Sequence, residues 1–253
     1  MNKDAIIIAE KLTKRFNGIV AVNNVSLKIM QGEVFGLLGP NGAGKTTFIS
    51  VLATLLKPTS GRAVVNGFDS AMEGSKVRES IGLVFQESIL DLDLSAYDNL
   101  DFHARLYRLP KGLREERIRE AARLVGLGRE LHRKVSTFSG GMKRRLEIAR
   151  GMLHIPKVLF LDEPTLGLDP QTRRHVLDYI KRLKERERVT VFLTTHYIEE
   201  ADYLCDRVAI IDKGKIVALG SPNELKKKTR GHKPTLEDVF LSYTGREIRD
   251  EIG

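Results

Sequence analysis

The residues with the clearest chemical potential are those from position 39 to 46, which read Gly-Pro-Asn-Gly-Ala-Gly-Lys-Thr. Glycines at both ends of this segment, followed by a lysine and a hydroxyl residue, match the P-loop pattern. Glycine lets the backbone wrap closely around phosphates, and the N–H groups of such a loop form a nest for anions. Lys45 would reach the β- and γ-phosphates, and the Thr46 hydroxyl suits Mg²⁺. The segment therefore predicts a site for ATP with Mg²⁺.

A pair of carboxylates, Asp162 and Glu163, follows the apolar residues 158–161. Neighbouring residues of a strand point to opposite faces, so the two carboxylates can take different roles if the strand end bends. Asp162 suits the Mg²⁺ shell, and Glu163 suits polarising a water for attack on the γ-phosphate. An acidic turn after a buried strand explains the pair equally well on its own. The P-loop upstream favours the functional interpretation.

Two further polar positions have both a functional and a plain structural explanation. Ser139-Gly140-Gly141 precedes a segment rich in Lys and Arg, and a serine at a helix start is an ordinary N-cap as well as a potential anion site. His196 follows the apolar residues 189–193, where a histidine is usually a surface or cap residue. Ligands of open α/β sheets bind at the carboxyl ends of the strands, which favours a functional His196.

The surrounding pattern predicts an α/β fold that would position these residues. Residues 5–9 are apolar, residues 25–29 alternate apolar and polar side chains, and Asn17-Gly18 between them is a turn signal, which predicts a small N-terminal antiparallel β subdomain. Apolar runs at 34–38, 158–161 and 189–193 read as buried strands, with helices expected at 42–56 and 170–187. Such alternation indicates a P-loop NTPase core with a mostly parallel sheet. A hairpin is expected over 208–219.

The middle of the chain has helical periodicity over 97–109, 113–125 and 141–153. We therefore expect an inserted α-helical subdomain at about 87–155. The ATPase domain would cover 1–225, and 226–253 would form a helical C-terminal tail. The sequence has no internal repeat, so one nucleotide site is expected per chain.

Composition narrows the class of protein. The 253 residues include a single cysteine and carry a formal net charge of +9. A spanning helix needs roughly 20 consecutive apolar residues, and the sequence has no such run and no signal-peptide pattern at its start. These features predict a cytoplasmic protein. Because aromatic residues are not interleaved with the basic ones, we interpret the charge as a solvated surface and expect no nucleic-acid partner.

The order of these features along the chain resembles the nucleotide-binding domain of the ATP-binding cassette (ABC) family, over nearly the whole length. The resemblance implies that Phe16 stacks on adenine, where the family usually has tyrosine. It implies that Gln86 touches Mg²⁺ and the attacking water and senses a membrane partner, and that His196 contacts the γ-phosphate. Ser139-Gly140-Gly141 would bind the γ-phosphate held by an opposite subunit, and Asp169 would lie in the loop joining the two sites.

The resemblance thus extends the candidate site to three overlapping sets. The catalytic residues would be Glu163, His196 and Gln86, and the Mg²⁺ ligands Thr46, Gln86 and Asp162. The nucleotide-binding residues would be Phe16, Gly39, Pro40, Asn41, Gly42, Ala43, Gly44, Lys45, Thr46, Thr47, Ser139, Gly140, Gly141 and Asp169.

Two residues depart from the commonest family signature, Leu-Ser-Gly-Gly-Gln. Phe138 and Met142 replace its ends, while the serine and both glycines are intact. Together with residues 161–171 and 234–240, the changed signature resembles the daunorubicin-resistance, or ABC-2-type, exporter ATPases. That subgroup implies export of drugs, lipids or similar amphipathic compounds.

The family resemblance also implies partners. Two cassettes, identical or different, would sandwich ATP on the cytoplasmic face of a membrane, and a separate polytopic permease would carry the cargo. Two alternatives remain open. A soluble cassette acting on ribosomes or DNA is mildly favoured by the charge, but such relatives usually carry two cassettes or long insertions. A regulator that binds ATP without hydrolysis is disfavoured by intact Glu163 and His196.

Overall fold

The structure is a computed structural model that describes residues 4–229 and 233–245. The chain divides into two compact units. One unit runs to Arg78 and resumes at Thr190, and the other extends from Glu79 to Val189. Each unit is described separately.

The first unit begins with an antiparallel hairpin of β1 (Ala5–Phe16) and β2 (Ile19–Met30). Its turn is Asn17-Gly18, and both residues have positive φ, 44° and 86°, as a tight hairpin turn requires. The predicted hairpin is confirmed, but each strand is longer than expected. Register shifts along the pair interrupt the regular alternation of faces, so the sequence pattern revealed only the outer halves.

Two short strands, β4 (Ser60–Val65) and β5 (Phe68–Asp69), extend this sheet in the order β2-β1-β4-β5. The same unit contains a second group of strands in the order β10-β9-β3-β8. They are β3 (Val34–Leu38), β8 (Thr190–Thr195), β9 (Arg207–Asp212) and β10 (Lys215–Gly220). The first three are parallel and β10 is antiparallel to β9, as the predicted hairpin requires.

The core of the first unit lies around β3 and β8. Every residue of both strands is buried, which matches their continuous apolar runs. The rings of Phe35 and Phe48 lie 5.6 and 6.0 Å from the ring of Phe192. The helices that begin in this unit are α1 (Lys45–Leu52), α2 (Gly74–Ser80), α7 (Ile198–Leu204), α8 (Pro222–Lys228) and α9 (Leu236–Thr244).

Helix α1 is shorter than the predicted span of 42–56. It begins at Lys45 because Gly42 and Gly44 have positive φ, 76° and 102°, which no right-handed helix accommodates. It ends at Leu52, and Thr54 again has a positive φ of 68°. Residues 42–44 therefore belong to the loop.

The second unit contains two parallel strands, β6 (Ile81–Val84) and β7 (Val158–Asp162), and four α-helices. The helices are α3 (Ala96–Leu106), α4 (Lys111–Leu124), α5 (Gly140–Met152) and α6 (Pro170–Glu187). Two single 3₁₀ turns lie at Gly128–Glu130 and Val135–Thr137. Helices α3 to α5 lie within the span predicted for the inserted helical subdomain, whose boundaries stay a prediction.

The C-terminal tail is helical where the structure describes it. Helix α9 begins with a capping box in which Thr235 and Asp238 satisfy each other's backbone N–H groups. Helix α9 contacts helices α7 and α8 and strand β10, and its Leu236, Val239 and Phe240 are buried. The predicted boundary at 225/226 falls inside α8, and residues 230–232 and 246–253 lie outside the described part.

Among the helices formed by residues 4–229 and 233–245, none is both long and apolar enough to cross a membrane.

A glycine of β6 offers a test of how tightly the second unit is packed. A Cβ on Gly82 would lie 2.2 Å from the carbonyl oxygen of Gly151 in α5. We expect Gly82→Ala to lower the free energy of unfolding by about 1–3 kcal/mol, because overpacking forces the backbone to shift. Urea denaturation monitored by circular dichroism measures this loss.

Gly112 in α4 is the matched control, since a Cβ there meets no atom within 4 Å. Gly112→Ala should leave the protein as stable or up to about 1 kcal/mol more stable, because alanine favours a helix over glycine. Equal denaturation midpoints for the two variants would contradict the described packing of α5 on β6.

Candidate functional site

The predicted P-loop is the turn between buried β3 and α1, and two of its glycines are sterically required. A Cβ on Gly39 would lie 2.4 Å from the carbonyl oxygen of Ile211. Gly44 combines a φ of 102° with a position where a Cβ would lie 2.2 Å from the carbonyl oxygen of Ala21. The loop therefore depends on glycine for close packing as well as for its backbone conformation.

Backbone hydrogen bonds fix the loop to its neighbours in the first unit. The N–H of Gly39 donates to the carbonyl of Thr195 (3.3 Å), at the end of β8. The N–H of Gly214 donates to the carbonyl of Ala43 (3.0 Å), from the turn between β9 and β10. The loop is thus held at both ends, while Asn41 and Gly42 at its tip are exposed.

Lys45 is folded back over the loop. Only 4% of its surface is exposed, and its Nζ donates to the carbonyl oxygens of Gly39 (2.8 Å) and Pro40 (3.1 Å). Thr46 is exposed and Thr47 half-buried in the first turn of α1. A positive charge, an exposed hydroxyl and a helix N-terminus together suit a polyphosphate.

The predicted His196 directly follows the residue whose carbonyl holds Gly39. It is buried, and its ring centroid lies 4.1 Å from that of Tyr197. The preceding Thr195 donates from Oγ1 to Glu200 (2.7 Å) and accepts from the N–H of Tyr197 (2.9 Å). The structure therefore brings His196 and the P-loop together through the end of β8.

Phe16, the predicted adenine platform, is the last residue of β1. It is 41% exposed, and the Nζ of Lys14 lies 5.0 Å from its ring centroid. An exposed aromatic face with a cation nearby suits stacking on a nucleobase that carries a charged phosphate chain.

In the second unit, Asp162 and Glu163 are both buried at the end of β7. Glu163 has a φ of 45°, so the strand ends in a sharp bend, as the predicted division of roles requires. A non-glycine residue in this region costs about 1–3 kcal/mol and persists only where its surroundings hold it. Such stored strain is typical of functional positions, which supports the prediction for Glu163.

The Ser-Gly-Gly segment and Asp169 cap two helices that pack together. Ser139 Oγ accepts from the N–H of Met142 (3.3 Å) at the start of α5, and Asp169 Oδ1 accepts from the N–H of Thr172 (3.0 Å) at the start of α6. A Cβ on Gly141 would lie 2.1 Å from Cγ2 of Thr172. Hydrogen bonds from Thr172 hold the pKa of the Asp169 carboxyl below its usual value. Both caps are exposed, while Gly141 is buried.

Gln86 lies exposed just after β6. The carbonyl of the preceding Phe85 accepts from Nη1 of Arg144 (2.5 Å), whose guanidinium also donates to the carbonyls of Asp162 and Glu163. The structure thereby brings the Gln86 segment next to the acidic strand end. The sequence analysis does not single out Arg144, which is one of three consecutive basic residues. Its hydrogen-bond partners are distant in the sequence, so no local pattern indicates them.

The predicted Mg²⁺ ligands are all oxygen donors: the Thr46 hydroxyl, the Gln86 amide and the Asp162 carboxylate. Hard oxygen donors suit Mg²⁺, which usually takes a few protein ligands and completes its shell with phosphates and water. Within the described residues, no cluster of three His, Cys, Asp or Glu side chains could hold a metal by itself. This donor set therefore fits Mg²⁺ that arrives together with a nucleotide.

Comparison with known proteins identifies relatives over most of the chain. The family model described as ABC transporter matches residues 22–166. The linearmycin resistance ATP-binding protein LnrL of Bacillus subtilis is 42% identical over 88% of this chain and 71% of its own length. The doxorubicin resistance ATP-binding protein DrrA of Mycobacterium tuberculosis is 41% identical over 98% of this chain and 73% of its own length.

Solved structures agree in fold. The protein cbiO1 from Clostridium perfringens, described as part of the ABC transporter complex cbiONQ, superimposes with a TM-score of 0.82. It is 32% identical and covers 88% of this chain and 91% of its own. A dimeric post-hydrolysis state of the ATP-binding cassette MJ0796 bound to ADP and Pi gives a TM-score of 0.75 at 29% identity, over 85% of this chain and 98% of its own.

The position of Lys45 leads to a binding prediction. Lys45→Ala removes the ammonium that would bind the phosphates, so we expect measurable Mg-ATP binding to be abolished. Each hydrogen bond between the ammonium and a phosphate oxygen is worth about 1.5–3 kcal/mol. Isothermal titration calorimetry measures the affinity, with Lys28→Ala as the control that removes an exposed lysine of β2. Retained tight binding by Lys45→Ala would rule out this loop as the phosphate site.

Proposed function

This chain belongs to the ABC transporter family as an ATP-hydrolysing cassette, and on that premise we propose that it drives export through a separate membrane permease. The observation that carries the proposal is the glycine loop between buried β3 and α1, over which the Lys45 ammonium is already folded. The relatives add the direction of transport, since several are named for resistance to drugs.

Nucleotide binding begins at the P-loop. The backbone N–H groups of the loop and the Lys45 ammonium neutralise the phosphates, and the adenine stacks on the exposed ring of Phe16. Thr46, Gln86 and Asp162 would hold Mg²⁺, which would supply positive charge to the phosphates when bound. Lys45 exchanges its bonds to loop carbonyls for bonds to phosphate oxygens, so it needs little reorganisation.

Hydrolysis requires a water aligned with the γ-phosphate. Glu163 accepts a proton from that water. Because the carboxylate is buried away from bulk solvent, its electrostatic effect on the water is screened less. Gln86 orients the water and His196 contacts the γ-phosphate. Phosphoryl transfer depends mostly on such positioning and on charge stabilisation.

The working form is a dimer of cassettes that share their nucleotides. Ser139, Gly140 and Gly141 bind the γ-phosphate of the nucleotide held by the other cassette, and Asp169 links the two sites. The similar cassette MJ0796 is described as a dimer, which supports this arrangement. ATP stabilises the closed dimer and its hydrolysis releases it. Identical and different partner cassettes both fit this scheme.

The membrane partner is a separate permease, and it carries the cargo. The relatives named for resistance to linearmycin, doxorubicin and daunorubicin support an amphipathic, drug-like cargo. The chain would lie on the cytoplasmic face of the membrane, where ATP is available. The permease would select the cargo, so cargo specificity is not expected in this chain.

The second unit presents an apolar surface suited to that permease. Phe102 and Leu106 are one helical turn apart on α3, and each is 63% exposed. Ile89, in the segment after Gln86, is also exposed. Neighbouring exposed apolar side chains such as Phe102 and Leu106 commonly mark interaction sites.

Glu163→Gln tests the proposed hydrolysis directly. The amide keeps the size of the side chain but cannot accept the proton, so we expect kcat to fall by about 10²–10⁴-fold while ATP affinity is maintained. Steady-state phosphate release and equilibrium nucleotide binding measure the two quantities. Glu185→Gln, at an exposed position in the last turn of α6, is the control. Near-normal turnover by Glu163→Gln would exclude Glu163 as the main base.

A detergent pull-down from native membranes tests the partner. The tagged chain should recover a polytopic membrane protein in stoichiometric amount, and Phe102→Ser/Leu106→Ser should lose it while retaining nucleotide binding. The control, Ile19→Ser/Met72→Ser, removes equally exposed apolar residues from the first unit and should keep the partner. Recovery of ribosomes or nucleic acid without a membrane protein would contradict the transporter assignment.

A further inference from the structure

We propose that Arg144 is a positioning residue for ATP hydrolysis, which holds the backbone of Glu163 and of the Gln86 segment in place from helix α5. The inference rests on the proposed role of Glu163 as the base. It adds a residue that contacts the main chain around the reacting groups, without contacting the substrate itself.

The first half of the contact is with the acidic strand end. Arg144 Nη2 donates to the carbonyl oxygens of Asp162 (2.9 Å) and Glu163 (3.1 Å), and its Nε donates to the carbonyl of Pro164 (2.7 Å). Three consecutive carbonyls therefore point at one guanidinium. The Asp162 and Glu163 carbonyls belong to the peptide groups on the two sides of the Glu163 Cα, so these bonds hold its left-handed backbone and thereby the direction of its side chain.

The second half of the contact is with the segment that carries Gln86. Arg144 Nη1 donates to the carbonyl of Phe85 (2.5 Å) and to Oε2 of Glu147 (2.9 Å). The other carboxylate oxygen of Glu147 accepts from the N–H of Ile89 (3.2 Å). The Arg144–Glu147 pair thus holds this segment on both sides of Gln86.

Only an arginine can make this set of contacts. Guanidinium has five N–H groups in one plane, and the structure uses them for four carbonyls and one carboxylate. Lysine has three donors around a single nitrogen, so it cannot span acceptors on two separate segments. The Arg144 side chain is 8% exposed, so water cannot replace these bonds readily.

The position of Arg144 in the chain also matters. It lies in the second turn of α5, the helix that Ser139 caps. The helix that presents the Ser-Gly-Gly segment therefore also carries the side chain that holds Glu163 and Gln86. A rigid shift of α5 would move all of these groups together.

The experiment uses the double variant Arg144→Met/Glu147→Gln. Methionine fills most of the volume of the arginine stem, and the second change avoids leaving a buried carboxylate without its partner. We expect kcat to fall at least tenfold, with ATP affinity within twofold of the unaltered chain. Arg145→Met is the matched control, because Arg145 donates to the carbonyl of Val125 and to Tyr179, outside the proposed catalytic residues. Its kcat should be retained.

A double-mutant cycle with Glu163→Gln separates positioning from a general loss of structure. If Arg144 acts through Glu163 and the Gln86 segment, adding Arg144→Met/Glu147→Gln to Glu163→Gln should lower the turnover by a much smaller factor than it does in the unaltered chain. A multiplicative further loss would overturn the inference, as would full turnover by Arg144→Met/Glu147→Gln beside an inactive Glu163→Gln. Normal turnover by Glu163→Gln itself would instead refute the proposed function.

Arg144→Lys provides the second variant. It keeps the charge beside Glu147 but not the fork of donors, so we expect kcat to stay at least tenfold low. Full turnover by Arg144→Lys would show that charge pairing alone is needed and would overturn a positioning role.

Discussion

The need to satisfy backbone carbonyls where fully buried strands end shapes both candidate loops. Strands β3 and β7 are buried throughout, and the carbonyls that follow them lie beyond the regular strand pairing and need other donors. In each case a buried cation from the following or a nearby helix supplies the donors. Lys45 donates to Gly39 and Pro40, and Arg144 donates to the three residues from Asp162. These bonds from Lys45 and Arg144 fix the backbone conformation of the two loops.

The two cations differ in what they can do next. Lys45 is a compact charge on a flexible stem, so it can exchange carbonyl oxygens for phosphate oxygens without moving the loop. Arg144 is committed to five fixed acceptors, so it suits holding rather than exchanging. The choice of lysine in one loop and arginine in the other follows from this difference between binding a ligand and fixing a backbone.

The sequence predicts those parts of the candidate site in which neighbouring residues act together, such as the glycine loop with Lys45. The glycines and lysine of residues 39–45 identify their loop because each residue type has a local reason to be there. The length of β1 and β2 was underestimated because register shifts interrupt the alternation of faces, and the start of α1 was misplaced because the glycine conformations are not visible in a helical pattern. Arg144 could not be found, since its bond to Phe85 joins residues 59 positions apart.

Glycine is needed at position 141 for a structural reason that does not depend on a nucleotide. Its lack of a side chain is required by Thr172, whose Cγ2 lies where a Cβ would be, whatever Gly141 does for a nucleotide. Thr172 is also the residue whose N–H is capped by Asp169. The start of α5 and the turn before α6 are therefore one packed unit, and a substitution at Gly141 would displace the Asp169 cap as well. Ser139 is exposed and its cap bond is local, so its removal tests the proposed phosphate contact far better than any change at Gly141.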